Sequence, residues 1–267
     1  MDTELLLICA LTGVINLIGA LAYAARIAGV RTGRIALSFA LFNVLLLVSR
    51  TSNGFLGPFL AKRIETALAS GKGDMLLWDL RLVLLAAAAA VALGIVLVPT
   101  GQRVFAAAIT SFQHNRSTSR LLLRSVTPSG LRTIREAVAI PTTETLRSLR
   151  GPKGVSWGVL AANAIAQGLL AVGVLASLYA GYLVPEFRVT ASQMTAIVNG
   201  FATILLFALI DPQISALTDD VVDGSVSEAT FRRAMIWVSL SRLAGTLAAQ
   251  VLLVPAAVAI AWAAGWL

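Results

Sequence analysis

The sequence predicts an all-α, polytopic membrane protein with six transmembrane helices. Three observations carry this. Of its 267 residues, 58% are hydrophobic and 13% charged, with mean hydropathy +0.85, a balance foreign to soluble domains. Six apolar runs come near or exceed the length that crosses a bilayer, about 20 residues. The basic residues crowd into alternate connections between those runs.

The first run, 5–25, follows an acidic start, Met1-Asp2-Thr3-Glu4. That start lacks the positive region of a signal peptide, so the run reads as a retained span. The second run is 35–56, and Gly54, Gly57 and Pro58 predict that its helix unwinds near its end. Such backbone is tolerated in a bilayer only where it lines a cavity or is buried in protein. The third run, 82–98, can continue past Pro99 into a short helix over 105–112. Its run of alanines at 86–90 suits close helix packing and would allow a homodimer face without demanding one. The fourth and fifth runs are 155–183 and 193–210. Asp211-Pro212 then predicts a helix start, with aspartate as N-cap and proline in the first turn, leading into an amphipathic 213–222. The sixth run, 234–264, is longer than a bilayer needs and holds Pro255, so a kink or an interfacial tail is expected.

One set of connections holds Arg26, Arg31, Arg34, Arg103, Arg116, Arg120, Arg124, Arg132, Arg135, Arg147, Arg150, Lys153, Arg232 and Arg233. The other holds Lys62, Arg63, Lys72 and Arg188. Positive-inside bias therefore places both termini outside and the central loop in the cytoplasm. The chain reads as a single membrane domain over 1–267. It has a first three-helix half at 1–100, a cytoplasmic loop at 101–154 and a second half at 155–267. Halves of opposite topology are a transporter plan. A weak internal echo agrees: Phe42 and its leucines resemble Phe201 with Ile204 to Leu206, and Trp78-x-x-Arg81-Leu82 resembles Trp237-x4-Arg242-Leu243.

The same bias accounts for the net charge of +8 without nucleic acid. The single cysteine, Cys9, cannot form an intrachain disulfide. The single histidine, His114, has no neighbour of metal-ligand type, so no metal site is expected. No glycine-rich loop with lysine is present, so no nucleotide cofactor is expected either.

Polar residues recur at helical spacing inside the spans. Thr12, Asn16, Gly19, Tyr23 and Arg26 share one stripe, and Asn43, Arg50, Asn53 and Gly54 another. Thr195, Asn199 and Thr203 line up in the fifth span, and Arg242, Thr246 and Gln250 in the sixth; the fourth offers Asn163 and Gln167. Singly, each reads as interhelical glue worth around 0.6 kcal/mol. As a set they point to a shared polar cavity. Arg50 lies about 22 Å into the second span and Arg242 about 12 Å into the sixth, at 1.5 Å per residue. Arg26 and Arg81 sit near opposite membrane faces, where long side chains snorkel. Asp79 and Asp211 are the acids nearest the spans, both at ends, so at least one deep arginine is expected to lack a carboxylate. A guanidinium stays charged, so that arginine calls for an anionic ligand.

The central loop mixes arginine with leucine at 121–123, Leu131 and Ile134, a pattern suited to an interfacial helix on anionic lipid. The loop after the fifth span is acidic (Asp211, Asp219, Asp220, Asp223, Glu228) and is placed to pair with Arg26, Arg31 or Arg34.

The strings Tyr23-x-x-Arg26-Ile27-Ala28-Gly29-Val30-Arg31-Thr32, Leu41-Phe42-Asn43 and Ser49-Arg50-Thr51-Ser52-Asn53 resemble the Amj family, the alternate-to-MurJ lipid II flippases of bacteria. Asp211-Pro212 with Thr218-Asp219-Asp220 is similar to that family's second half. The resemblance implies a multi-pass protein of the cytoplasmic membrane. Its implied task is to move undecaprenyl-pyrophosphate-linked disaccharide-pentapeptide to the outer leaflet for peptidoglycan synthesis. On that basis Arg50 and Arg242 would meet the pyrophosphate. Arg26, Asn16, Tyr23, Asn43, Ser52, Asn53, Arg81, Thr246 and Gln250 complete the candidate substrate-binding set. The residues alone leave open a carrier of another anionic lipid or solute, a non-catalytic subunit of a membrane complex, and a polyprenyl-pyrophosphate phosphatase. The phosphatase would need a general acid, base or nucleophile that the spans hardly offer.

Overall fold

The computed structural model describes residues 2–71, 75–115, 127–139 and 151–266, which are helical with short connections and contain no strand. The helices are α1 (Thr3–Thr32), α2 (Ile35–Ser70), α3 (Leu76–Asn115), α4 (Pro128–Ala137) and α5 (Trp157–Leu183). A helical run, Pro185–Val222, follows. It comprises a 3-10 turn (Pro185–Phe187), α6 (Arg188–Gln193), α7 (Thr195–Leu205), a π turn (Leu206–Ile210) and α8 (Asp211–Val222). The last helix is α9 (Glu228–Ala264). Six stretches are long and apolar enough to cross a membrane: α1, α2, α3, α5, the 185–222 run and α9. At 1.5 Å per residue even the 27-residue α5 spans about 40 Å, beyond a hydrocarbon core of about 30 Å.

The ends follow local chemistry. Asp2 caps α1, its side chain accepting from the Leu5 amide at 2.8 Å. That bond, and Arg63 beside it, hold the Asp2 carboxyl below its ordinary range. Gly33 closes α1 in the left-handed region, where a side chain would be strained. Ser156 and Ser227 cap α5 and α9.

Three expectations about helix starts and breaks are corrected. α2 does not unwind at Gly54–Pro58; it is one helix of 36 residues with Pro58 inside. Proline removes a single bond, to the Gly54 carbonyl, and the rest of the ladder outweighs that loss. A Cβ added at Gly54 would meet nothing within 4 Å. Gly54→Ala is therefore expected to leave thermal stability unchanged or raised by up to about 1 kcal/mol. A clear fall in Tm would favour unwound backbone. Asp211, in turn, is no N-cap. Ile210 before it is already helical and Asp211 makes no capping bond. Pro212 does sit in the first turn, and the π turn before it absorbs the missing amide. α3 runs unbroken through Pro99 to Asn115, so 105–112 is no separate helix, and α9 runs unbroken through Pro255.

α1 packs chiefly on α3 and α2, while α5 packs chiefly on α9 and α7. The two groups meet through α3, α9, α1 and the α2–α5 contact. Small residues set the crossings. Ala87 and Ala88 of α3 are buried within the molecule, and a Cβ at Gly94 would come 2.5 Å from Ala20 Cβ. Two apolar clusters stack along the bundle. One, near the N-terminus, includes Leu5, Ile8, Leu60, Leu80 and Leu253. The other, at the end where Arg31, Arg34 and Arg232 lie, includes Tyr23, Ile27, Ile214, Phe231 and Met235. Exposed Trp78, Trp262 and Trp266 ring the N-terminal end and Trp157 the basic end, as aromatic residues do at membrane interfaces.

α4 falls in the central loop, with Arg132 and Arg135 exposed. Ala139 ties the segment to α3, its amide donating to Thr100 Oγ1 at 3.0 Å. Arg116, Arg120, Arg124, leucines 121–123, Arg147 and Arg150 lie outside the described residues, as does Lys72.

Candidate functional site

Between the two apolar clusters lies a cavity of about 360 Å³, and every candidate span contributes to it. α1 supplies Thr12 and Asn16 above Leu5 and Ile8 of one cluster and below Tyr23 and Ile27 of the other. α2 supplies Ser49, Arg50 and Asn53; α5 supplies Gln167; α7 supplies Asn199; α9 supplies Arg242. Leucine, valine and alanine side chains of α3 and α5 complete the wall.

Its electrostatics are one-sided. Among the described residues, two arginines line the cavity and no carboxylate does. Neither Arg50 nor Arg242 has an ion-pair partner among the described residues. Among the described residues Arg242 Nε finds no hydrogen-bond partner, nor do the buried Thr12 Oγ1 and Asn199 Oδ1. Arg242 fits because Gly19 leaves room: a Cβ there would collide with its guanidinium and stand 3.0 Å from Cζ. The Tyr23 side chain lies buried beside Arg242 and Asn163.

The cavity opens sideways. Arg50 and Asn53 are exposed, whereas Thr12, Ser49 and Gln167 are buried. α2 and the 195–210 stretch both line the cavity yet make no substantial contact with each other. Phe55 of α2 and Phe201, Ile204 and Phe207 of the 195–210 stretch are exposed, as side chains that face hydrocarbon are.

Of the eleven candidate residues, the structure brings Asn16, Arg50, Asn53 and Arg242 together. Tyr23 stands just behind Arg242. The others lie outside the wall. Ser52 donates back to the Val48 carbonyl at 2.9 Å and Thr246 to the Arg242 carbonyl at 2.9 Å. Gln250 donates to the Arg81 carbonyl at 2.9 Å, joining α9 to α3. Arg81 itself stacks over Trp78 at 5.9 Å. Asn43 is exposed on α2 away from the cavity. Thr12, Ser49, Gln167 and Asn199 belong to the wall without being in the candidate set.

Arg26 pairs with Asp211 at 3.2 Å and lies 5.0 Å from the Phe39 ring centre. This pair links α1 to α8 across the basic end, as the acidic loop led one to expect of Arg26. Arg31 and Arg34 make no ion pair among the described residues. At the N-terminal end Arg63 joins Asp79 at 2.7 Å and Asp2 at 3.0 Å. A double-mutant cycle on Arg26→Gln and Asp211→Asn is expected to give a coupling of no more than about 1 kcal/mol, since Asp211 is 40% exposed. A coupling well above that would mean the pair is more shielded from solvent than its geometry indicates.

A protein-family model described as Amj, alternate to MurJ, matches residues 11–264. A curated relative, the lipid II flippase Amj of Bacillus subtilis (strain 168), is 32% identical over 267 residues, covering 99% of this chain and 98% of its own. No solved structure matches.

Proposed function

The chain belongs to the Amj, alternate-to-MurJ, family, and we propose that it is a flippase that carries lipid II from the cytoplasmic to the outer leaflet of the bacterial cell membrane. One observation carries the reading beyond family: a laterally open cavity, at mid-bundle, that among the described residues holds two arginines and no carboxylate. A charge at that depth costs at least about 2.5–3.5 kcal/mol, and a bound diphosphate offsets it with charge-assisted hydrogen bonds. Arg50 and Arg242 bind the diphosphate oxygens; Asn16 and Asn53 contact phosphate or sugar. The polyprenyl tail stays in lipid through the gap between α2 and 195–210. Both termini face outside, in keeping with the basic residues at the opposite end.

The cavity is a carrier's rather than a catalyst's. Among the described residues its wall has no histidine or carboxylate to serve as general acid or base toward a phosphoanhydride. The reading is tested in cells stripped of their other lipid II flippases, with this chain as the sole source. Growth is expected. Lysis with the protein present at normal levels in the membrane would overturn it.

A further inference from the structure

We propose that the cavity reads only the diphosphate and the first sugar, so that the protein also moves polyprenyl-diphosphate glycolipids other than lipid II, whatever their outer sugars or peptide. This deepens the flippase reading above and rests on it.

Size is the first reason. A cavity of about 360 Å³ lies at the small end of the range for ligand pockets, about 300–1,000 Å³. A diphosphate and much of one sugar ring fill it. A disaccharide bearing a pentapeptide is several times larger. Nor can the remainder extend along the bundle, because an apolar cluster closes each end. It must leave by the lateral opening beside Arg50 and Asn53, where the wall gives out.

The chemistry of the wall is the second reason. Arg50 and Arg242 donate only, so they ask for an acceptor such as a phosphate oxygen. Asn53 and Gln167 add side-chain amides to the wall, and their oxygens accept. A fully ionised diphosphate has no proton to give them. The hydroxyls and N-acetyl amide of a first sugar do. Among the described residues the wall holds no carboxylate to pair an ammonium group of the peptide.

The test uses the full chain in proteoliposomes with four lipids, read by the loss of head-group access to a reagent that cannot cross the membrane. They are lipid II, lipid II without its stem peptide, polyprenyl diphosphate carrying one N-acetylhexosamine, and bare polyprenyl diphosphate. The three sugar-bearing lipids are expected to move at rates within about threefold of one another, because only a group that the site binds costs tenfold or more on removal. The bare diphosphate is expected to move at least about tenfold more slowly. A loss of tenfold or more on removing the peptide or the outer sugar, with lipid II moving normally, would overturn the inference. So would bare diphosphate moving as fast as the glycolipids. Failure to move lipid II itself would overturn the flippase reading, and this inference with it.

Discussion

Arg50→Ala is expected to abolish growth support in cells that depend on this chain, without loss of protein from the membrane. Arg50 is exposed at the mouth of the cavity, so truncation leaves no hole in the core. What it removes is one of the two positive charges in the wall. A hydrogen bond to a charged group is worth about 1.5–3 kcal/mol, and a guanidinium commonly makes two to a phosphate. Losing both costs roughly a hundredfold or more in transport, at 1.36 kcal/mol per decade. Arg50→Lys keeps the charge and loses the fork, so partial activity is expected. Full growth with Arg50→Ala at wild-type expression would remove Arg50 from the site.

Gly245→Val is expected to destabilise the fold most. Gly245 of α9 faces α5 where the two backbones touch: a Cβ there would collide with the Ala164 carbonyl oxygen and stand 3.0 Å from the Gly168 amide nitrogen. Neither backbone atom can swing aside as a flexible side chain would. Overpacking of side chains costs about 1–3 kcal/mol, and a clash with helix backbone costs more. The expected result is a large drop in Tm in detergent and little protein in the membrane. Gly54→Ala, in the same assay, should be harmless. A normal melt for Gly245→Val would mean that α5 and α9 do not cross here.

The spans were legible because hydropathy is a local property, and so was the α1 stripe. Thr12, Asn16, Gly19, Tyr23 and Arg26 all turn to the polar axis: two line the cavity, one makes room for Arg242, one stands beside it and one pairs with Asp211. Other readings failed where rotation and depth decide. Asn43 shares a stripe with Arg50 but lies seven residues, about 10 Å, nearer the basic end, beyond the reach of the cavity. Asn163 and Gln167 look alike in sequence. Asn163 is spent on the Val238 carbonyl and Ser241 Oγ, at 3.1 and 2.7 Å, while Gln167 faces the cavity. Thr246 and Gln250 follow Arg242 at helical spacing yet are used for helix packing. Which neighbour takes a polar group is a tertiary fact that periodicity does not hold. Gly54 and Pro58 misled for a different reason: a long helix tolerates one missing bond.

On the proposed function, two uncompensated arginines in a laterally open cavity carry a diphosphate lipid across the membrane. Lipid II translocation by purified protein in proteoliposomes tests it most directly, with wild type set against Arg50→Ala and Arg242→Ala. Movement is expected for the wild type and a fall of roughly a hundredfold or more for each variant, with the folded fraction unchanged. Wild-type rates in both variants would contradict it.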